Sequence, residues 1–407
     1  MWDMKARCVT LDARSLYTSA IHRICNPTPE DNGRVAGFPT GPAVLIENWS
    51  QHQSFSHYIA RINVTAINTA QQISFVSYSK DGLRVNTNDV CSEMRGIVVD
   101  KITLEDWIQF QQIEYEFIEG VYWSNDNGRD STNKVSIGNC KAGEFVTSIY
   151  SFRKECIENG NTAMSEICKL ALNSVYGKTI SKPVETKTVI KDKREYDEYI
   201  SDNWDNAIKM EECHRQWILS MKSTDVNHSS RPHVGGLVLS MSKRIMHEVM
   251  DVANQMGIAI LYTDTDSLHI VGETDELEAA YETLYKRKLI GPDMGQFARE
   301  LKFPGHIDIY SERAIILGKK AYMHVVSGVN ERGVRETYEY CRMKGVNEHA
   351  MSEYPDREKL YERMYAGEKV PFDLCYGNGV SFQFRDSVIT RECYVKRIGF
   401  EGEKGVL

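Results

Sequence analysis

A chain of 407 residues with 42% hydrophobic and 26% charged side chains has the make-up of a globular protein with a sizeable core, and its length implies two or three lobes. A net charge of −8 excludes indiscriminate coating of nucleic acid, which rests on many Lys and Arg at phosphates, yet leaves room for a local basic track. The ten cysteines, Cys8, Cys25, Cys91, Cys168 and Cys393 among them, include no Cys-x-x-Cys pair and no Cys/His zinc spacing. No apolar run reaches the ~18 residues of a membrane span, and Met1-Trp2-Asp3-Met4-Lys5 lacks a signal-peptide core. A reduced, intracellular, membrane-free protein is the expectation.

Val9–Leu11 reads as a short strand ending in the carboxylate of Asp12, and Ser15-Leu16-Tyr17 turns from it into a helix. Loops from Asn26 to Pro42 precede strand-like runs at Tyr58–Ile67, Ile73–Tyr78 and Gly96–Val99. From Gly143 the period becomes helical, breaks at Glu158-Asn159-Gly160-Asn161 and resumes through Lys178, which predicts an αα-hairpin. A lysine-rich polar stretch to Arg231 reads as an insertion, and a helix over Val234–Met256 follows, capped by Gly257. Ile258–Tyr262 and Ser267–Val271 flank Thr263-Asp264-Thr265-Asp266, a β-hairpin with acids at its tip. A helix near Asp275–Lys288, strands near Ala314–Val326 and a helix near Asp356–Ala366 complete the chain.

Two carboxylates one residue apart repel unless a cation or hydrogen bonds compensate them. An isolated Asp-x-Asp is most often an acidic surface turn, but here apolar strands place Asp264 and Asp266 at the end of a buried hairpin. On the second helix of the αα-hairpin, Lys169, Asn173 and Tyr176 share one stripe, opposite Met164, Ile167, Cys168, Ala171, Leu172 and Val175. A polar stripe of cation, amide and phenol suits a triphosphate and a base pair, although a solvated face is the ordinary reading. Arg153 sits among Val146, Ile149, Tyr150 and Ile157 and needs a partner, a carboxylate or an anionic ligand in equal measure, while Lys154 lies at the stripe's edge. Lys319-Lys320-Ala321-Tyr322 and Arg342-Met343-Lys344-Gly345 are basic clusters beside apolar positions, a pattern more common on plain surface than at phosphates.

Taken in order, these segments resemble the motifs of family B DNA polymerases. Asp12-Ala13-Arg14-Ser15-Leu16-Tyr17 resembles motif A (D-x-x-S-L-Y-P), Lys169 to Gly177 motif B (K-x-x-x-N-S-x-Y-G), and Tyr262-Thr263-Asp264-Thr265-Asp266-Ser267 motif C (Y-x-D-T-D-S). At ~1/20 per specified residue, motif B alone arises by chance on the order of once in ten thousand chains of this kind. The resemblance implies an α+β palm–fingers–thumb fold, with an antiparallel palm sheet and a helical-hairpin fingers. Expected boundaries are palm 1–142 and 233–300, fingers 143–179, an insertion 180–232 and a thumb 301–407.

It further implies a template-directed polymerase that adds dNTPs to a primer 3′ end with two Mg²⁺ ions, Mn²⁺ being a substitute, held by Asp12, Ala13 and Asp266 and supported by Asp264. Ser15, Leu16, Tyr17, Arg153, Lys154, Lys169, Asn173 and Tyr176 are the implied nucleotide-binding set, with Tyr17 as the steric gate against a ribose 2′ hydroxyl. Tyr262, Lys320, Tyr322 and Lys344 are the implied DNA contacts, Lys320-Ala321-Tyr322 resembling the family's K-x-Y element.

Thr18 stands where motif A usually has Pro, and only eleven residues precede Asp12, whereas the family's exonuclease motifs lie upstream of motif A. A chain without its own proofreading activity is therefore expected, with a separate exonuclease polypeptide as a partner. Long segments between the motifs resemble the protein-primed branch of phages, adenoviruses and linear plasmids, which implies a terminal protein and replication inside a host cell. The rival readings are another palm polymerase, such as a reverse transcriptase or RNA polymerase, and a catalytically silent DNA-binding subunit. Motif B argues against the first, and the retained Asp12, Asp266 and Lys169 against the second.

Overall fold

The expected strand before Asp12 forms as Cys8–Ala13 and becomes the organising strand of a large antiparallel sheet. The computed structural model describes residues 1–27, 37–39, 41–123, 137–181, 186–213, 216–223, 230–373, 381–385, 388–392 and 395–400; Cys393 and part of the 26–42 loop lie outside them. The described residues divide into two compact units, the first within 1–177 and 232–342 and the second within 178–231 and 343–400.

In the first unit the main sheet runs in the order Ile260–Asp264, Ser267–Val271, Cys8–Ala13, His306–Gly318, Ala321–Asn330, Arg335–Met343. Phe297–Arg299 pairs with the C-terminal half of Cys8–Ala13, and Trp2–Met4 with His306–Gly318. The expected thumb boundary at 301 therefore falls inside a sheet, because His306–Asn330 is a hairpin hydrogen-bonded into it. Alternation along Cys8–Ala13 sends Val9, Leu11 and Ala13 into the main core with Leu268 and Ile270, leaving Thr10 and Asp12 on the other face.

Helix Pro232–Gln255 covers the core side. Proline suits its first turn, and its end is closed by Gly257 at φ +69°, where Ile258 N–H donates to Ala253 O at 2.8 Å, much as the sequence indicates. Helix Leu16–Cys25 packs against both Pro232–Gln255 and Ile137–Glu158. A Cβ on Gly143 would lie 2.5 Å from that of Cys25, so only glycine permits this approach. A second sheet holds Val44–Leu45, Ile113–Trp123, His57–Ile67 and Ile97–Asp100, and Ser77–Lys80 pairs with Leu83–Asn86 as a hairpin. The strand expected over Ile73–Tyr78 begins only at Ser77, because the Phe75 and Val76 N–H groups donate to Gln111 Oε1 at 2.7 and 2.9 Å instead of to a ladder.

The αα-hairpin is present as Ile137–Glu158 and Thr162–Thr179. Its buried stripe is narrower than the periodicity suggests: Ser165, Cys168 and Leu172 are buried, while Met164, Ile167 and Ile157 are exposed. In the second unit, Thr186–Asp192, Ala207–Cys213 and Gln216–Lys222 form a three-stranded sheet beside helix Lys193–Asn203. Helix Arg357–Tyr365 and the paired strands Val370–Asp373 and Val395–Ile398 belong to the same unit.

Candidate active site

Asp12 lies opposite Ser267 on one side and Ala298 on the other, so its strand is paired along both edges. The hairpin tip then folds over its end: Ala13 N–H donates to Asp266 O at 2.7 Å, and Asp266 N–H to Asp264 O at 2.8 Å. Antiparallel partners stand about 4.5–5.5 Å apart at Cα, so Asp12 and Asp266 arise from adjoining backbones although 254 positions separate them in sequence. Thr265 turns this corner at φ +63°, a left-handed conformation that is strained for a β-branched residue.

The electrostatics match that placement. Burial pushes the Asp12 carboxyl up to about 6, with the charges of Asp266 and Glu300 adding and Arg14 opposing. Asp266 is raised for the same leading reason, with Asp264 and Glu300 adding. Among the described residues no group of three or more His, Cys, Asp and Glu converges as a metal cage. Two carboxylates beside backbone carbonyls are nonetheless a hard-oxygen donor set of the sort Mg²⁺ uses when substrate phosphates and water complete its shell. The residues present therefore fit a divalent ion.

Asp264 faces a different partner: Lys320 Nζ contacts its Oδ2 at 2.5 Å. Lys320 occupies the Gly318–Ala321 turn at φ +57°, and its N–H donates to the Tyr262 hydroxyl at 2.8 Å. Tyr322 packs its ring against Tyr262 at 5.6 Å and is 8% exposed, so the ring serves the sheet more than the surface. Motif C and the Lys320-Ala321-Tyr322 element thus meet, with the cation tied to an acid. Lys344 is exposed within the second unit.

The Tyr17 and Tyr176 rings stack at 4.2 Å and 10°, joining the residues after Asp12 to the helical hairpin. Burial, then Tyr176 and Asp266, raises the Tyr17 hydroxyl. Ser15 at φ +50° makes the corner into the helix, and buried Leu16 anchors it. Lys169 and Asn173 continue the Tyr176 stripe in the open, Lys169 only 3.6 Å from Glu166. Arg153 has a buried Nε without a hydrogen-bond partner, so a structural carboxylate does not claim that nitrogen. Lys154 pairs with Asp293 at 2.8 Å, and the Tyr150 hydroxyl donates to Pro292 O, fastening the hairpin helix to the loop before Phe297.

Sequence reasoning missed Glu300. Its N–H donates to Thr10 O, its Oε1 accepts from Tyr340, and its buried Oε2 has no partner. No motif marks it, since its proximity to Asp12 depends on pairing between distant segments. Thr10, His269, His324 and Ser311 also form a buried polar chain on the Asp12 face, with His269 Nδ1 3.0 Å from His324 Nε2.

A family model described as DNA polymerase type B, organellar and viral, matches residues 4–255. A DNA polymerase of Kluyveromyces lactis is 25% identical over 181 residues, which cover 43% of this chain and 16% of that protein. Among solved structures, Phi29 DNA polymerase in an orthorhombic crystal form is similar with a TM-score of 0.59 at 16% identity, covering 97% of this chain and 58% of that one. Its ternary complex with primer-template DNA and incoming nucleotide gives 0.58 at 17% identity with the same coverage. The present chain thus spans less than two thirds of either relative. The structural likeness shows a palm–fingers–thumb α+β fold, and no described helix is long and apolar enough to cross a membrane.

Proposed function

Because the chain belongs to the organellar and viral type B DNA polymerases, we propose that it adds dNTPs to the 3′ end of a primer on a DNA template. The observation that carries this reading is the pairing of strand Cys8–Ala13 with strand Ser267–Val271, which sets Asp12 beside Asp266, with Asp266 close enough to add to the burial that raises the hydroxyl of Tyr17 in its stack on Tyr176. Asp12 and Asp266, with the Ala13 carbonyl, would hold Mg²⁺ or Mn²⁺. Such ions, when bound, supply Lewis-acid stabilisation to the attacking and leaving oxygens.

The chain's own residues do the rest. Asp12 and Asp266 concentrate negative charge at the buried end of two strands, which favours cation-bearing nucleotides over bare ones. Lys169 and the unclaimed Arg153 Nε meet the triphosphate, and Asn173 adds a hydrogen bond. Tyr17, fixed by its stack, walls off the sugar's 2′ position and selects deoxynucleotides. Tyr262 and Lys320 form the floor under the primer terminus, with buried Tyr322 backing Tyr262 from within the sheet, and Lys320 also restrains Asp264. The likeness to Phi29 polymerase and the insertion at 178–231 support placement in the protein-primed branch, with a terminal protein as the initiation partner.

Primer extension with Mg²⁺, comparing DNA and RNA templates and dNTPs and NTPs, tests the proposal. Asp266→Ala and Asp12→Ala should each lower incorporation by roughly 10²-fold or more while circular dichroism stays unchanged. Equal activity in either variant, or extension only on RNA, defeats the assignment. An inert unaltered chain that still binds primer-template would point to the silent-subunit reading.

A further inference from the structure

A cavity of ≈ 550 Å³ opens between the hairpin Ser77–Lys80/Leu83–Asn86, strand Ile97–Asp100 and helices Lys101–Gln111 and Pro232–Gln255. None of the carboxylate-site residues lines it. Arg84, Arg95 and Lys243 do, and among the described residues none of the three forms an ion pair. Arg84 donates one hydrogen bond, from Nε to Ser77 Oγ at 2.8 Å, and the partly buried Lys243 ammonium makes none.

The nearby acids are committed elsewhere. Glu93 accepts from Lys80 Nζ and Ser92 Oγ, both at 2.8 Å. Asp100 caps helix Lys101–Gln111 by accepting from Thr103 N–H at 2.8 Å, and its other oxygen accepts from Ser240 Oγ at 2.5 Å. A surface lysine gains from water what it lacks in partners, but one drawn into a cavity beside a second cation does not. We propose that this cavity is a phosphate-binding site, in which Lys243, Arg84 and Arg95 receive a phosphoryl group carried by a nucleic-acid strand or a nucleotide. Burial first, then the neighbouring Arg84, holds Lys243 down to about 8, with Asp100 and Asp106 opposing. Arginine forks and a point-charge lysine are the side chains that match phosphate oxygens.

The test uses the whole chain in EDTA, with inorganic phosphate as the calorimetric probe. Saturable binding that weakens tenfold or more in Lys243→Met and in Arg84→Gln, and stays within twofold in Asp12→Asn, supports the site. No saturable binding, or equal binding in the cavity variants, overturns it. Thermal unfolding supplies the control: removing an unpaired desolvated charge should leave Lys243→Met melting at or above the unaltered chain, and phosphate should raise the melting temperature of the unaltered chain but not of Lys243→Met. A Lys243→Met chain that melts well below would overturn the proposal by making the lysine structural. Competition identifies the source of the phosphoryl group: displacement at lower concentration by a single-stranded oligonucleotide assigns a strand, and by a deoxynucleoside monophosphate a free nucleotide. Displacement by neither overturns the nucleic-acid class.

Discussion

Tyr17 is the residue where position and proposed role can be separated most cleanly. Its ring lies flat on Tyr176, so truncation removes a wall without touching a carboxylate. Tyr17→Ala should raise ribonucleotide incorporation relative to dNTP by roughly tenfold to a hundredfold, the scale of losing one well-packed steric contact, whereas Tyr17→Phe keeps the wall and should keep the selection. Single-turnover assays with paired dNTP and NTP measure it, and an unaltered sugar preference in the alanine variant removes the gate assignment. Asp264 teaches a related point. It stands in the same motif as Asp266, yet its salt bridge to Lys320 sets it apart from an acid awaiting a cation.

The helix Pro232–Gln255 is held to neighbouring helices of the first unit by buried charge as well as apolar packing. Arg244 donates from Nε to Asp106 at 2.6 Å and pairs with Glu105 at 3.0 Å, and His247 Nδ1 lies 3.1 Å from the second Asp106 oxygen. Burial raises the Asp106 carboxyl, but Arg244 and then His247 outweigh it and hold it below the usual carboxylate range. Arg244→Met strands that buried carboxylate and should cost about 3–5 kcal/mol, while the double change with Asp106→Leu should recover most of the loss. Urea unfolding of the single and double variants checks both. On the same helix Glu248 binds Arg23 at 2.6 Å and Arg287 at 3.2 Å, so its interior position reflects satisfied charge.

Across the first unit as a whole, buried histidines make stability depend on acidity. Burial pushes His269 down to about 4 and His324 to about 3, from an ordinary value near 6.5. Depressed folded values mean that the unfolded chain takes up protons first, so their contribution is intact above pH ~6.5 and is lost as pH falls toward 4. Each should cost about 2 kcal/mol by pH 5. Asp12, raised to about 6, and Asp266, also raised by burial, work in the opposite sense, but these partly exposed carboxyls offset only part of the loss from two fully buried histidines. The melting temperature should therefore drop between pH 7 and pH 5 at fixed ionic strength, and a flat profile would refute the buried, neutral pair.

Spacing set Lys169, Asn173 and Tyr176 on one helical stripe and Asp12 and Asp266 at strand ends, because the backbone obeys such periodicity locally, while their roles came from the resemblance of these runs to the family B motifs. The αα-hairpin followed from helical periodicity and the Gly-containing break within it, and the α+β plan from the motif resemblance. Pairing between distant segments decided the remainder. Glu300 joins the acids only because its N–H reaches Thr10, and the sheet runs past residue 300 because His306–Asn330 folds back into it. Whether Ile157 and Ile167 are core or surface depended on which neighbour reached the helix. Local periodicity records which face of an element is apolar; which other element covers that face, and which charge meets which, is settled only when the chain closes on itself.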